Sequence, residues 1–498
     1  MYGQMFIYAY FDTRAKGLEI LTASGSSCPG PLSKVFETLT PGSTACANLT
    51  TSLGKAKVKL PCSLTYVRSR LSYWNARQAR YAPSCAVYPT TAQEVSTILR
   101  TVRAAKSRFA IKTAGHCPND LFSSVDAGVL IDLNRMTARA YDHTTTIATY
   151  GPGGTFGDIY KYLQPFNRTV VGARLAPIGT GLALGGGLSY LSSRYGMACD
   201  SFRELEIVLP NGKIVKASPK ENSDLFYACK GGGGNAYGVV TKYVVQTVPS
   251  GTFYAGNLMW GAKDGKAVLE AIRNFAVHNK DPKAAILGTI QKLGMSMGGL
   301  IPRETVMMFL VYDGPDAGKT FENFTKIPAK INTLKKRTYQ GVVNMPIPNG
   351  VHLGRGNNIF RVQVHRVDDK EYMQAFDVWS KWCDDNKGSY VLSSIDYQPI
   401  QRSLTDASKA QNGGNAMQMP DGPWFWLNFL LTTPRNISQA KYDAVQASFK
   451  NMVNSVPNAK GLPLFINDAA TYSRLQSIKK KYDPDNFFAK YTGGWSFA

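Results

Sequence analysis

Long apolar runs, metal-ligand spacings and a basic tail are all missing from this 498-residue sequence. The longest apolar stretches, residues 5–11 and 424–431, fall far short of the length that spans a membrane. The eight cysteines and five histidines form no CxxC pair and no His/Cys cluster with zinc-binding spacing. We therefore expect neither a membrane span nor a metal site.

The net charge of +23 raises the question of nucleic-acid binding. The excess of lysine and arginine is spread along the chain, and its densest clusters are only Lys335-Lys336-Arg337 and Lys479-Lys480-Lys481. No stripe of arginines alternates with aromatic residues, so we expect no nucleic-acid partner. A general positive field would suit an anionic cofactor or an acidic substrate, but it identifies neither.

Cysteines and sequons favour a secretory route. Eight cysteines are available for pairing, and four Asn-x-Ser/Thr sequons make the protein a candidate glycoprotein. The sequon asparagines are Asn48, Asn167, Asn323 and Asn436. The first residues, MYGQMFIYAYFDTRAKG, are a poor secretory signal because no basic segment precedes their apolar run, which leaves open that the N-terminus is truncated.

A strand, a helix and a second strand are predicted between residues 85 and 112. Thr91 and Glu94 have the spacing of a capping box, and apolar residues then recur at helical intervals. The second strand, residues 109–111, ends at the bend KTAGHCPND. One of only five histidines in the chain, His116, lies on this bend.

Three glycine-rich or small-residue turns lie in the first half of the chain, at residues 112–119, 177–200 and 224–248. Glycine allows backbone N–H groups to crowd around a phosphate, although each turn alone is better explained by tight turns and close packing. For three such turns together we favour cofactor binding. No G-x-G-x-x-G follows a strand with an acidic residue about 20 positions later, which argues against a nicotinamide enzyme.

The pattern predicts an α+β protein. We assign residues 1–255 to a cofactor domain with an irregular segment 1–60, residues 256–461 to a substrate lobe, and residues 462–498 to a segment that returns to the first domain. The lobe alternates amphipathic helices with strands, which indicates an antiparallel sheet covered by helices. These helices are predicted at 264–278, 369–387 and 438–453, and the strands at 305–314 and 424–433.

Four segments of the chain resemble one family, the FAD-linked oxidoreductases of the vanillyl-alcohol-oxidase superfamily with the PCMH-type FAD fold. The similarity is strongest to fungal members of the berberine-bridge-enzyme-like branch. The segments are residues 71–99, IKTAGHCPND (111–120), residues 179–215 and ENSDLFYACKGGGGNAYGVVTKY (221–243). The C-terminal residues 465–488 also fit.

The resemblance implies a bound FAD, an N-terminal disulfide between Cys46 and Cys85, and a covalent bond from His116 to the flavin 8α-methyl. An imidazole attached there makes the flavin a stronger oxidant and prevents its dissociation. Residues of the bend would surround the diphosphate, and the other glycine-rich turns and the C-terminal segment would contact the flavin or the rest of the cofactor. The implied cofactor-binding residues are His116, Ile111, Lys112, Thr113, Ala114, Gly115, Cys117, Asn119, Gly179, Gly181, Gly186, Ser189, Gly238, Val239, Val240 and Asn486.

Two positions depart from the family pattern. Ala176 stands where many relatives have a cysteine bonded to flavin C6, so we expect attachment through histidine alone. Phe465 stands where relatives have a tyrosine beside the substrate, and phenylalanine has no proton to exchange. We therefore expect the catalytic groups among Tyr397, Asn467 and Asp468, with Tyr312, His352 and His365 as further candidates for the base, each of which is equally well a packed or solvated residue.

We therefore expect an enzyme that oxidises an alcohol, amine or phenolic secondary metabolite by hydride transfer to FAD, in fungal natural-product biosynthesis. Oxygen is the expected acceptor, with Leu175 placed to control its access, and the protein is expected to be a monomer or homodimer. In the strand WFW (424–426), either sheet packing or a pocket wall around Phe425 explains the aromatic residues. A redox-neutral isomerase or cyclase, a carbohydrate oxidase, and a basic binding protein without catalysis remain alternatives.

Overall fold

The computed structural model describes residues 40–233, 236–294, 303–345, 356–368, 370–411, 414–462, 469–494 and 496–497. Within these ranges, none of the helices combines the length and apolar character that crossing a bilayer requires. Mixed helices and sheets form the fold, as the sequence predicts.

The predicted strand–helix–strand unit is confirmed in the first sheet. Strands Cys85–Val87 and Phe109–Lys112 both pair in parallel with Val129–Asp132, which lies between them. The helix Ala92–Ala104 connects the outer two, and the side chain of Thr91 caps its N-terminus. Because parallel strands end at one edge of their sheet, the bend that follows Lys112 is fixed at that edge. The strand order is Val58–Lys59, Cys85–Val87, Val129–Asp132 and Phe109–Lys112.

Part of the segment expected to be irregular is a helix, Pro41–Leu53. Thr40 caps it with its side chain and Pro41 occupies the first turn, where proline costs no hydrogen bond. The helix carries Cys46, which forms a disulfide with Cys85. The sequence analysis did not predict this helix because its residues are rich in serine and threonine. The helix is stabilised by its cap and by its packing against the first sheet. Residues 1–39 lie outside the described ranges.

A second, five-stranded sheet completes the N-terminal half. It includes the predicted hairpin at Asn211-Gly212, where Phe202–Val208 pairs antiparallel with Ile214–Ala217. The strand order is Arg139–Asp142, Ile147–Tyr150, Val239–Gln246, Phe202–Val208 and Ile214–Ala217, with a separate pair Arg168–Thr169 and Val248–Pro249. The α-helices of this half are Leu64–Leu71, Phe156–Leu163, Ser192–Tyr195 and Ser223–Cys229.

A large antiparallel sheet, here called the roof sheet, dominates the rest of the chain. Its strand order is Ile331–Asn332, Phe253–Gly261, Glu304–Tyr312, Ala284–Leu293, Leu392–Ile400, Trp424–Thr433 and Asn357–Arg366, with Lys335–Arg337 also paired to Phe253–Gly261. The three predicted amphipathic helices are Gly265–His278, Glu371–Asp385 and Gln439–Asn454. Shorter helices are Glu322–Thr325, Tyr339–Val343 and Arg402–Lys409.

The two faces of the roof sheet have different partners. Alternate residues such as Phe425 and Leu427 pack with the amphipathic helices in one core. The residues between them, Trp424 and Trp426, belong to the core of the N-terminal half. Side chains alternate along a strand, so the long roof strands contribute to both cores. This arrangement places one face of the roof sheet against the glycine-rich turns.

The chain ends on the N-terminal half, through the helices Ala469–Tyr482 and Phe487–Tyr491. Phe487 stacks on Phe109 of the first sheet, with 5.2 Å between the ring centroids, and Phe488 meets the same ring edge-on. The C-terminal segment is therefore anchored directly behind the strand that leads to the bend. The domain boundaries drawn from the sequence stay a prediction.

Candidate active site

The site is built around the bend at residues 111–119. His116 is half-buried, and its imidazole lies parallel to the indole of Trp74, with 5.1 Å between ring centroids and 14° between ring planes. Trp74 also contacts Phe360 of the roof sheet, at 5.5 Å between centroids. The tryptophan thus lies between the bend and the roof, so the ring orientation at position 116 is linked to both halves.

A short segment, residues 74–78, holds the outer side of the bend; we call it the clamp. Its amides bind backbone oxygens of the bend: Trp74 N donates to Gly115 O at 3.0 Å, and the side chain of Asn75 donates to Pro118 O. The side chain of Gln78 donates to the backbone oxygens of Asn119 and of Cys117. Asn75 and Gln78 are fully buried, so breaking these bonds would leave polar groups unsatisfied.

The clamp is also joined to the roof sheet. The side-chain oxygen of Asn75 accepts from the backbone N of Asn358 at 3.0 Å, and its amide donates to the oxygen of the same residue at 3.1 Å. On its other side, the clamp forms a salt bridge with the residue that follows the bend: Arg77 Nε lies 2.6 Å from Asp120 Oδ2. The segment lies within residues 71–99, which carry part of the family resemblance, but the sequence analysis gave it no role. Its partners are about 40 and about 280 residues away, so no local pattern indicates them.

Lys112, expected to bind the cofactor, has a buried partner of its own. Its ammonium donates to Ser69 O and Ser72 Oγ at 2.8 Å each and lies 3.3 Å from Asp132 Oδ2. Burial lowers the pKa of Lys112, and the carboxylate of Asp132 opposes that shift. The side chain therefore supports the bend from beneath, and only the backbone of Lys112 is left for a cofactor.

The turn at Gly179 forms the second wall beside the bend. A Cβ on Gly179 would lie 2.5 Å from Thr113 Oγ1 and 3.0 Å from the backbone N of Ala114, so only glycine allows this approach. Gly181 is exposed, and a Cβ there would come no closer than 3.9 Å to Thr113 Oγ1. The two turns therefore touch at Gly179 and lie further apart at the exposed Gly181; we call the space between them the groove. Backbone N–H groups that border such a space could hold a phosphate.

Other expected cofactor residues lie deeper. Gly238, Val239 and Val240 are buried where their strand pairs with Phe202–Val208. Ser189 hydrogen-bonds Tyr339 at 3.0 Å, beneath the roof sheet.

Two further expected residues have local structural roles. Gly186 faces Met417 of the lobe. Asn486 begins the last helix in a left-handed conformation, and its side chain accepts from Lys479. None of these placements tests whether the residues bind the cofactor, and those assignments stay predictions.

One row of roof-sheet residues lies on the sheet face that packs against the N-terminal half. Thr289, Asp396 and Asn428 are direct cross-strand neighbours, flanked by Met307 and Val362. All except Met307 are half-buried, whereas the alternate residues of the same strands are packed under the helices. The row is apolar at its ends and polar at its centre, which is the lining expected of a small-molecule pocket.

Asp396 is the carboxylate at the centre of this row. Burial raises the pKa of Asp396 to about 6, and the hydrogen bond from Thr289 and the charge of Arg174 only partly oppose the shift. A carboxyl with a pKa near 6 exchanges protons at physiological pH, as a general base does. Asp396 is the functional candidate that the sequence analysis missed.

Among the catalytic candidates expected from the sequence, those that the structure describes lie outside this row. Tyr397 is fully buried on the helix-covered face, where its hydroxyl donates to Tyr372 O at 2.9 Å. Phe425 lies in that core too, so its pocket-wall interpretation is not supported. His365 is its cross-strand neighbour, and Tyr312 donates to Asp281 at 2.9 Å at the sheet edge. Asn467, Asp468 and His352 lie outside the described residues.

Known proteins are similar to this chain in both sequence and fold. A family model for an FAD binding domain matches residues 83–218, and a "berberine and berberine like" model matches residues 469–493. An uncharacterised FAD-linked oxidoreductase of Arthroderma benhamiae is 31% identical over 475 residues, covering 88% of this chain and 92% of its own. The bifunctional solanapyrone synthase of Alternaria solani is 30% identical, with 82% and 81% covered.

Among solved structures, a xylooligosaccharide oxidase from Myceliophthora thermophila C1, in complex with xylobiose, has a TM-score of 0.74 at 17% identity, with 91% of this chain and 99% of that one covered. The chain therefore belongs to the FAD-linked oxidoreductases of the berberine-bridge-enzyme-like family, and it is an FAD-dependent enzyme. The groove between the bend and the turn at Gly179, where only glycine permits the close approach to Thr113, is compatible with that cofactor.

Proposed function

We propose that this enzyme oxidises a small secondary metabolite with FAD bound covalently through His116, and that Asp396 accepts the proton. The observation that carries the proposal is the carboxyl of Asp396, whose pKa is raised to about 6 on the face of the roof sheet that packs against the N-terminal half. When bound, FAD would supply a two-electron oxidant for a hydride from the substrate carbon, with oxygen as the expected final acceptor and hydrogen peroxide as its product.

The protein residues divide the remaining work between them. Asp396 takes the proton of the substrate hydroxyl or amine as the hydride leaves the adjacent carbon. Thr289 lies directly across from Asp396 on the neighbouring strand and opposes the rise in the pKa of that carboxyl, so it favours the ionised form of the base. The clamp holds the bend so that the imidazole of His116 has one position and one orientation, as attachment of a flavin requires.

A single covalent attachment is proposed because of Ala176. Its methyl group cannot form a bond to the flavin, and its backbone N donates to Val343 O at 3.2 Å, which fixes this segment against the lobe. Relatives with two links often have open sites for large substrates. The missing second link therefore supports a smaller substrate.

The substrate class is proposed as an alcohol, amine or phenol from fungal natural-product biosynthesis. The apolar ends of the roof-sheet row favour a compact, partly apolar molecule over a sugar chain. Fungal relatives 26–34% identical are named FAD-dependent monooxygenases, and one relative is a named synthase. An oxidation that prepares a cyclisation is compatible with the same residues.

The test is anaerobic mixing of the purified enzyme with members of these three substrate classes. We expect at least one to bleach the flavin absorbance near 450 nm, and Asp396→Asn to bleach far more slowly with that compound. Product formed without bleaching would instead establish a redox-neutral isomerisation. Bleaching only by oligosaccharides would replace the proposed substrate class with carbohydrates.

We also propose that the protein is made in the secretory pathway and glycosylated. The disulfide Cys46–Cys85 and a disulfide at Cys62 support an oxidising compartment. The four sequon asparagines are all exposed: Asn48, Asn167, Asn323 and Asn436. A loss of mass on treatment of the secreted protein with an N-glycosidase tests this, and an unchanged mass would contradict glycosylation.

A further inference from the structure

Arg174 is a half-buried arginine at the boundary between the two halves of the molecule. It belongs to the segment that leads to the turn at Gly179, and its guanidinium donates to the side-chain oxygen of Gln398 on the roof sheet. Gln398 and Asp396 are two residues apart on one strand, so they share a face. The guanidinium of Arg174 is therefore hydrogen-bonded to the roof-sheet face that carries Asp396, the proposed base.

Arg174 has no direct ion-pair partner among the described residues, although its charge interacts with Asp396 at longer range. Among the described residues, no carboxylate lies within 4.0 Å of its guanidinium, and its one side-chain hydrogen bond goes to Gln398. Burial lowers the pKa of Arg174, while Tyr190, Asp396 and Tyr339 oppose that shift. A guanidinium carries five N–H donors, and holding it partly out of water without a direct ion pair is costly. Its remaining N–H groups suit a carboxylate or another anionic oxygen, which a guanidinium can bind with two parallel hydrogen bonds.

The spacing of the two charges defines what would fit. Residues two apart on a strand are separated by about 7 Å, so a group bound at Gln398 lies about one aromatic ring away from Asp396. A ligand that spans this distance can place one oxygen on Arg174 and present its reactive carbon beside Asp396. The net charge of +23 also draws anions towards the protein.

We propose that Arg174 binds an anionic oxygen of the substrate, so that the enzyme selects molecules carrying a carboxylate, enolate or phenolate about one ring away from the bond that is oxidised. The inference rests on the proposed function, because the distance from Arg174 to the oxidised bond is set by Asp396 only if Asp396 is the base. Arg174 acts as a specificity-determining residue, and Gln398 orients its guanidinium.

The competing explanation is that Arg174 only joins the two halves through Gln398. In that case its substitution would lower stability, and it would affect anionic and neutral ligands equally. Arg174→Lys separates the two explanations, because lysine keeps the charge but loses the planar, two-pronged geometry. Arg402→Gln is the matched control, since Arg402 is an exposed lobe residue that pairs with Asp406 and Asp421.

The experiment titrates the flavin absorbance of the purified holoenzyme with paired probes of equal size: acetate and acetamide, benzoate and benzamide, 4-hydroxyphenylacetate and its amide. We expect at least one carboxylate to perturb the spectrum at a concentration about tenfold or more below that of its amide. Arg174→Gln should abolish this preference, Arg174→Lys should retain part of it, and Arg402→Gln should retain all of it.

The proposal is overturned if no carboxylate binds better than its amide, or if Arg174→Gln binds the carboxylates as the wild type does while its thermal stability falls. A wild type that bleaches with neutral alcohols and shows no carboxylate preference would refute this inference alone. A protein without flavin would refute the proposed function as well, and the colour of the purified protein distinguishes the two failures.

Discussion

The indole of Trp74 lies parallel to the imidazole of His116, and the same indole contacts Phe360 on the roof sheet. This pair joins the bend, the clamp and the roof in one place. The backbone hydrogen bond from Trp74 N to Gly115 O keeps the residue that carries the indole next to the residue before His116. The orientation of the proposed attachment residue is therefore set by tertiary contacts rather than by the bend alone.

Replacing Trp74 with alanine should reduce covalent attachment of the flavin more than it reduces binding. The imidazole would lose its stacking partner and sample several orientations, while the groove would remain intact. Trp74→Phe preserves an aromatic face and should retain most of the attachment. The ratio of acid-precipitated to total flavin measures the effect, with the melting temperature recorded for each variant. An unchanged ratio in Trp74→Ala would show that the stacking is not needed for attachment.

Asp396 predicts a pH profile. Its pKa of about 6 means that the base is ionised above that pH, so kcat/KM should fall about tenfold per pH unit as the solution is acidified below 6. Asp396→Asn should lose this limb and about 10²–10⁴-fold in rate.

A stability change of the opposite sign should accompany that loss. Because the folded pKa lies above the ordinary value, the carboxyl destabilises the fold progressively as pH rises from about 4 through 6. Asp396→Asn should therefore be more stable than the wild type above pH 6 and similar to it near pH 4, measured by thermal unfolding. A profile in which kcat/KM is flat from pH 5 to 8 would remove Asp396 as the base.

Gly186 should tolerate alanine poorly. Its φ of 102° is unfavourable for other residues, and a Cβ would overlap Met417 Sδ from the lobe. We expect Gly186→Ala to lower the free energy of unfolding by about 2–4 kcal/mol. Gly388→Ala is the control: it has a φ of 83° with nothing within 4 Å, so only the backbone cost of about 1 kcal/mol should appear. Equal losses in urea titrations would show that the contact with Met417 is unimportant.

The Cys46–Cys85 disulfide should stabilise the N-terminal half. It joins the helix Pro41–Leu53 to the first sheet across 39 residues of sequence, and such a link contributes about 2–4 kcal/mol. The paired Cys46→Ser, Cys85→Ser variant should melt at a lower temperature than the wild type without reductant. Adding dithiothreitol should narrow the difference, and an equal melting temperature before reduction would contradict this role.

Much of the fold could be predicted from local patterns. The helix Ala92–Ala104 and its Thr91 cap follow from helical spacing and a capping residue, which act within one turn. The hairpin at Asn211-Gly212 follows from its turn chemistry. The helix Pro41–Leu53 could not be predicted in this way, since its Ser/Thr-rich sequence has a weak helical preference and its stability comes from a cap, packing and a distant disulfide.

Asp396 is the residue before Tyr397, one of the three catalytic candidates that the sequence analysis named with Asn467 and Asp468. Tyr397 lies in the core under the helices, whereas Asp396 is on the other face of the roof sheet. Neighbouring residues on a strand face opposite sides, so these two residues have different environments. The apolar alternation of Ile395 and Tyr397 was the available signal: both belong to the helix-covered core, which places Asp396 on the other face.

The role of the clamp could not be predicted from sequence patterns, for a different reason. Asn75, Gln78 and Trp74 act through bonds to the bend and to Asn358, and such contacts exist only after the chain has folded. The family resemblance predicted the cofactor and the importance of the bend. It also included the clamp residues, within 71–99, but it did not indicate that they hold the bend in place.

One measurement tests the central claim most directly: acid precipitation of the purified protein, followed by mass spectrometry of its flavin-bearing peptide, for the wild type and for His116→Ala. We predict a yellow wild-type pellet, FAD attached to His116 and to no other residue, and a His116→Ala variant whose flavin stays in the supernatant. A colourless wild-type pellet, or flavin attached to another residue, would contradict the account.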